Sequence, residues 1–194
     1  EITAAFIYYY TWERLDRRTH LIVGWIYFIA AWLSLAVING ILSFMLTPGQ
    51  WILTRSFWDG FFNPTYLPSL VLRTAVCFAL AGLYALLTAS RLQQEELREK
   101  LVRYAARWLA PAFVVLPLAG VWYISRIPPL AREVSMGGAA AVTIFAGLSI
   151  VFSIIIFSFA YFGPYRNPKQ FPFPFAVMFL LIGLLATGVT EWVR

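Results

Sequence analysis

The 194-residue chain is 61% hydrophobic and 12% charged, with fifteen Lys and Arg against nine Asp and Glu and a formal net charge of +6. Soluble domains carry roughly 25% charged residues, so this composition excludes a water-facing globule. The single cysteine, Cys77, excludes an internal disulfide.

The chain opens on Glu1-Ile2-Thr3, and the apolar stretch to Trp12 has about half the length a membrane span needs. It lacks the charged start and small-residue cleavage site of a signal peptide. Residues 1–12 therefore read as the end of a truncated helix, and the chain as an interior segment of a longer protein; a processed short subunit is the alternative. Five full spans follow, at about 20–46, 68–90, 107–124, 137–162 and 173–193. Lipid offers the backbone no hydrogen-bond partner, which leaves helices or closed barrels, and the polar–apolar alternation of a barrel strand is absent. The expected fold is all-α, a polytopic membrane helical bundle of five full transmembrane helices plus the end of a sixth, in a single transmembrane domain over 1–194.

The connections set the orientation. Arg14, Arg17 and Arg18 precede the first span; Arg91, Arg98, Lys100, Arg103 and Arg107 lie between the second and third; Arg166 and Lys169 lie between the fourth and fifth. These ten face four on the other side: Arg55, Arg126, Arg132 and Arg194. The excess marks the cytoplasmic face, so loops 13–19, 91–106 and 163–172 are expected there. The positive charge is thereby explained as topology, with no nucleic-acid partner. Membrane lipid and other membrane subunits are the expected partners.

Within the second connection, Glu96 with Lys100 and Glu99 with Arg103 stand i to i+4 in the favourable order, predicting a helical extension. The Pro-rich "YFGPYRNPKQFPFPF" predicts a non-helical turn, and Pro111 and Pro117 predict a kink in the third span. In the first span, Trp25, Trp32 and Asn39 are seven apart and share a face; a buried Asn39 is expected to hydrogen-bond a neighbouring helix. His20 is the only histidine, so this chain alone cannot hold a haem between two histidines, and no Cys-x-x-Cys-His occurs.

"HLIVGWIYFIAAWLSLAVINGILSFMLTPG" followed by "NPTYLPSLVLRT" resembles the fourth and fifth helices of subunit I of cytochrome bd-type quinol oxidases. The matching features are His20, Trp25, Asn39-Gly40, Met45-Leu46-Thr47-Pro48 and Asn63-Pro64. "EITAAFIYYYTWERLDRRTH" resembles the end of that family's third helix and its short cytoplasmic link. Glu1 then falls where the family has a glutamate associated with proton delivery. "TEWVR" resembles the approach to the family's Gly-Arg-Gln-Pro-Trp motif. The resemblance covers most of the chain, is strongest over 1–90 and weak from 100 to 180, and implies a respiratory electron-transfer complex of the bacterial or archaeal cytoplasmic membrane.

The departures are specific. Leu72 and Arg73 stand where the family carries a histidine that ligates the low-spin b haem. The family's methionine partner falls in "AAAVTIFAG", which has no Met, and Met136 lies just outside it. The long external quinol-binding loop is represented only by "SRIPPLAREVSM". A glutamate of the family's last helix aligns near Leu184 and Leu185. Haem remains expected in the whole complex, with no axial ligand pair in this chain and no metal site.

Arg73 enters on the external side, about 7 Å into the layer, where an unpaired charge is costly. Three accounts stay open: snorkelling to headgroups, pairing with Glu191 near the external end of the fifth span, or binding a haem propionate or another subunit's carboxylate. For His20, a hydrogen-bonded interfacial role is the plain reading, and a His20–Met178 haem the remote one. Glu1 is a proton-pathway candidate, against a structural acid. No residue is assigned a catalytic role. The leading expectation is a membrane subunit of a bd-oxidase-like complex, fed by a c-type cytochrome rather than through a quinol loop. The rivals are a cofactor-free structural or assembly subunit and a small transporter, the latter weakened by the lack of an inverted repeat.

Overall fold

The computed structural model describes residues 1–193, with side chains through Glu191; Arg194, counted above among the external basic residues, lies outside them. Among the described residues every regular element is helical, and five helices are long and apolar enough to cross a membrane. In chain order the α-helices are α1 (Ile2–Tyr10), α2 (Arg17–Leu46), α3 (Trp51–Thr54), α4 (Phe57–Phe61), α5 (Tyr66–Ala89), α6 (Glu95–Arg107), α7 (Leu109–Arg126), α8 (Pro129–Glu133), α9 (Ala140–Ala160) and α10 (Phe173–Val193). By their contacts they divide into two compact units, residues 1–70 and 71–194.

In the first unit, α2 starts where Asp16 accepts hydrogen bonds from the backbone N–H groups of Arg18 (3.0 Å) and Thr19 (3.1 Å), an N-cap that satisfies two of the orphan donors of the first turn. At thirty residues α2 is about 45 Å long, more than the hydrocarbon layer requires, and α1 packs back along it. The helix ends at Thr47-Pro48. Gly49 then takes a left-handed φ of 59°, and a Cβ there would come within 2.9 Å of Pro64 Cδ. The turn therefore needs glycine both for its backbone angle and for the close approach of Asn63-Pro64.

The second unit holds the larger apolar core. Leu83 and Leu86 of α5, Val102 and Ala105 of α6, Leu109 of α7, Ile156 of α9 and Phe179 of α10 are all buried in one cluster. Small residues let the helices close on one another, as expected where lipid supplies no hydrophobic drive for association. At Gly183 an added Cβ would stand 2.3 Å from Leu83 Cδ1.

The predicted helical extension is α6, with Lys100 Nζ 2.5 Å from Glu96 Oε1 and Arg103 Nη2 3.3 Å from Glu99 Oε1. Its other face buries Val102, Ala105 and Ala106. Pro111 has no N–H to give the Arg107 carbonyl, and its ring crowds that group; the helix accordingly breaks at Trp108, between α6 and α7. Pro117 is accommodated inside α7.

The connection before α10 differs from the expected non-helical turn. Residues Tyr161–Tyr165 continue α9 as a π-helical turn, and Pro168–Gln170 form a 3-10 turn. The Arg166 N–H bonds the Tyr161 carbonyl at 3.1 Å, five residues back, so the wider loop carries the helix past Pro164. This connection packs against α6, and Lys169 lies 3.8 Å from Glu99. On the opposite connection, Arg132 Nε and Nη2 donate to the carbonyls of Ile124 (3.2 Å) and Ser125 (3.1 Å), capping the end of α7.

Candidate functional site

Three polar constellations stand out against the apolar background, two in the first unit and one in the second. The first is a buried seam where α2 meets the start of α5. Asn39, fully buried, donates from Nδ2 to the Tyr66 carbonyl (2.9 Å) and accepts from Ser69 Oγ (2.5 Å). One turn on, Asn63 Nδ2 donates to Ser43 Oγ (2.9 Å) and the Gly60 carbonyl (3.0 Å), while its Oδ1 accepts from the Thr65 backbone N–H (3.1 Å) and hydroxyl (2.9 Å). The hydroxyls of Thr47 and Thr65 close the chain. Sequence reasoning singled out Asn39 as a hydrogen-bonding residue, named Thr47 and Asn63 only as matching features, and passed over Ser43 and Thr65. The signal was present: positions 39, 43 and 47 repeat every fourth residue and so share one helical face. Trp25 and Trp32, on the same face of α2 as Asn39, are 63% and 38% exposed.

The second constellation surrounds His20. Its ring stacks on Tyr8 at 4.2 Å between centroids and meets Trp12 edge-on at 4.5 Å. Both ring nitrogens are buried without a hydrogen-bond partner among the described residues. The interfacial histidine is thus held by rings, not by the hydrogen bonds expected of it, because the short 11–16 link folds α1 back over the first turns of α2. An unpaired buried nitrogen costs on the order of 1–3 kcal/mol.

The third constellation is charged. Arg73 of α5, its side chain 13% exposed, donates from Nε to Glu191 Oε1 (3.3 Å) and from Nη2 to Glu191 Oε2 (2.7 Å), a bidentate fork between α5 and α10. Glu191 is itself 38% exposed. Beside it, Ser149 and Thr190 join α9 and α10 through their hydroxyls at 2.6 Å. Of the three accounts open for Arg73, the structure places the Glu191 carboxylate at its guanidinium. These residues are far apart in sequence and adjacent in the fold.

Glu1 is exposed at the start of α1, where its carbonyl accepts from the Ala5 N–H and its side chain makes no capping bond. An axial nitrogen ligand of a haem must be open to the metal, yet both nitrogens of His20 are enclosed. Met45 and Met136 point outward, 77% and 64% exposed. Position 73 offers a guanidinium already engaged by a carboxylate, and a guanidinium is not a metal ligand. Neither the enclosed His20 nitrogens nor the engaged Arg73 guanidinium offers an axial haem ligand. Among the described residues, no group of three or more His, Cys, Asp or Glu is placed to hold a metal ion.

Compared with known proteins, residues 1–127 match the family model of cytochrome bd terminal oxidase subunit I. That stretch runs from α1 to the end of α7 and stops where the short 127–139 connection begins. No curated protein and no solved structure gives a match. With about two thirds of its length matched, the chain belongs to the cytochrome bd terminal oxidase subunit I family.

Proposed function

We propose that this chain is the membrane subunit of a bd-oxidase-like respiratory complex that takes its electrons from a donor other than a quinol bound at the family's external loop. The observation that carries this reading is the Arg73–Glu191 pair. The resemblance puts a haem-ligating histidine at this point of α5, and the chain instead holds a cation whose charge is met by its own α10. The short 127–139 connection, filled by α8 and a kink at Met136 and Gly137, supports the same reading. A c-type cytochrome is the donor class proposed, docking on the external side. The basic loops 13–19, 91–106 and 163–172 face the cytoplasm of a bacterial or archaeal cell in this reading.

Under this proposal Arg73 serves as a fixed positive charge near the external surface, attracting a propionate or a carboxylate of another subunit. Glu1 is assigned to a proton pathway, and Asn39, His20 and Glu191 to structural polar roles. The enclosed nitrogens of His20 favour a second reading, a cofactor-free structural or assembly subunit of the same complex. Reduced-minus-oxidised spectra and haem quantification of the purified complex test both. Loss of one haem in Arg73→Gln, with the complex still assembled, supports the first; haem content and spectra indifferent to changes throughout this chain favour the second. Reduction by quinol alone, unchanged when the c-type donor is omitted, overturns the proposed donor.

A further inference from the structure

Where α6 passes into α7 at Trp108 lies a groove of about 420 Å³, lined by Phe78, Tyr104, Arg107, Trp108 and Pro111. Its chemistry changes along its length. α6 is densely charged up to Arg107, whereas residues 108–125 carry no charge, so the groove lies at the boundary between water and lipid. Gly82 of α5 lies close to Trp108: a Cβ there would come 3.2 Å from Trp108 Cβ. Trp108 is thereby free to stack on Phe78 (5.7 Å between centroids) and to meet Tyr104 edge-on (6.3 Å).

The cations around the groove are mostly engaged. Lys100 pairs with Glu96, and Arg103 and Lys169 with Glu99, while Arg91 lies over the Phe173 ring at 4.6 Å and Arg166 over the Tyr161 ring at 5.9 Å. Arg107 is exposed, and no carboxylate among the described residues is within salt-bridge distance of it. We propose that this groove binds an anionic phospholipid of the leaflet on the basic side. Arg107 and the Tyr104 hydroxyl hold the phosphodiester, and one acyl chain lies over Phe78, Trp108 and Pro111. A guanidinium suits a phosphate geometrically, Tyr and Trp belong at headgroup level, and an arginine near the surface favours anionic over neutral lipid. A free phosphate would use the cation and leave the rings unused. The inference requires only that the chain spans a membrane and is independent of the electron donor.

The test uses the complex containing the full chain, reconstituted in nanodiscs of phosphatidylcholine mixed with equal phosphatidylglycerol. Bromine is placed on the acyl chains of one lipid at a time, and Trp108 emission is taken as the difference from Trp108→Phe. Brominated phosphatidylglycerol is expected to quench Trp108 about fivefold more effectively than brominated phosphatidylcholine, and Arg107→Gln to bring the ratio to about one. Equal quenching in the native protein overturns the proposal, as does a preference that survives in Arg107→Gln. Inorganic phosphate abolishing the preference at constant ionic strength would also overturn it, by showing a free-anion site. Should the Trp108 or Arg107 variants fail to assemble, photoreactive phosphatidylglycerol on the native complex decides: adducts within 104–111 uphold the site, and adducts only elsewhere remove it.

Discussion

Arg73 and Glu191, 118 positions apart, meet in a two-point hydrogen-bonded contact whose shorter arm is 2.7 Å. Arg73 is the more enclosed partner, so the two residues are not equivalent on removal. Glu191→Gln leaves a guanidinium with little access to water and is expected to cost about 1–3 kcal/mol, between the values for exposed and buried pairs. Arg73→Gln leaves a carboxylate that is more than a third exposed and should cost less. Thermal unfolding in detergent, with the double variant closing the cycle, checks the asymmetry; equal losses would refute it.

At Gly183 the α5–α10 contact has no room for a methyl group, whereas Gly188 one turn on has nothing within 4 Å of its added Cβ. Gly183→Ala is therefore expected to lower stability by about 1–3 kcal/mol and Gly188→Ala to leave it unchanged. The atom in the way is the end of the Leu83 side chain, so Gly183→Ala should cost less in a Leu83→Ala background than in the native chain, although Leu83→Ala is itself destabilising. Denaturation midpoints of these variants give the comparison.

Removing the amide at position 39 leaves the Tyr66 carbonyl and the Ser69 hydroxyl without this partner in an apolar setting. Asn39→Leu is expected to cost about 1–3 kcal/mol, although leucine is the more lipid-compatible residue. A measured gain in stability, by the same midpoints, would show the seam to be dispensable.

Asp16 is held below the usual carboxylate range, chiefly by the Thr19 hydroxyl and then by the Thr19 backbone N–H. A lowered folded-state pKa means the cap stabilises α2 fully above the ordinary aspartate range. That contribution is lost as pH falls through the depressed value. Amide exchange over 17–21, corrected for intrinsic rates, should accelerate at acid pH in the native chain. Asp16→Asn, which keeps the acceptor without titrating, should abolish that acceleration.

The spans were legible because lipid demands long uncharged runs, and α6 because its charges fall four apart. The break at Trp108 followed from one proline acting on the carbonyl four residues earlier. What escaped were features settled between segments. The π-helical turn at 161–165 depends on how Pro164 is accommodated by a wider hydrogen-bonded loop, which composition does not register. The aromatic enclosure of His20 depends on α1 folding back across a six-residue link. The role of Asn63 emerged only once Ser43, twenty residues earlier, stood opposite it.

The Asn39 seam also bears on how the chain enters its bilayer. The Ser43 and Thr47 hydroxyls can donate to carbonyls of α2 itself, but the Asn39 amide finds Tyr66 and Ser69 only when the beginning of α5 lies alongside. Release of α2 into lipid is thus favoured once the segment through Ser69 has been synthesised and can meet the Asn39 amide.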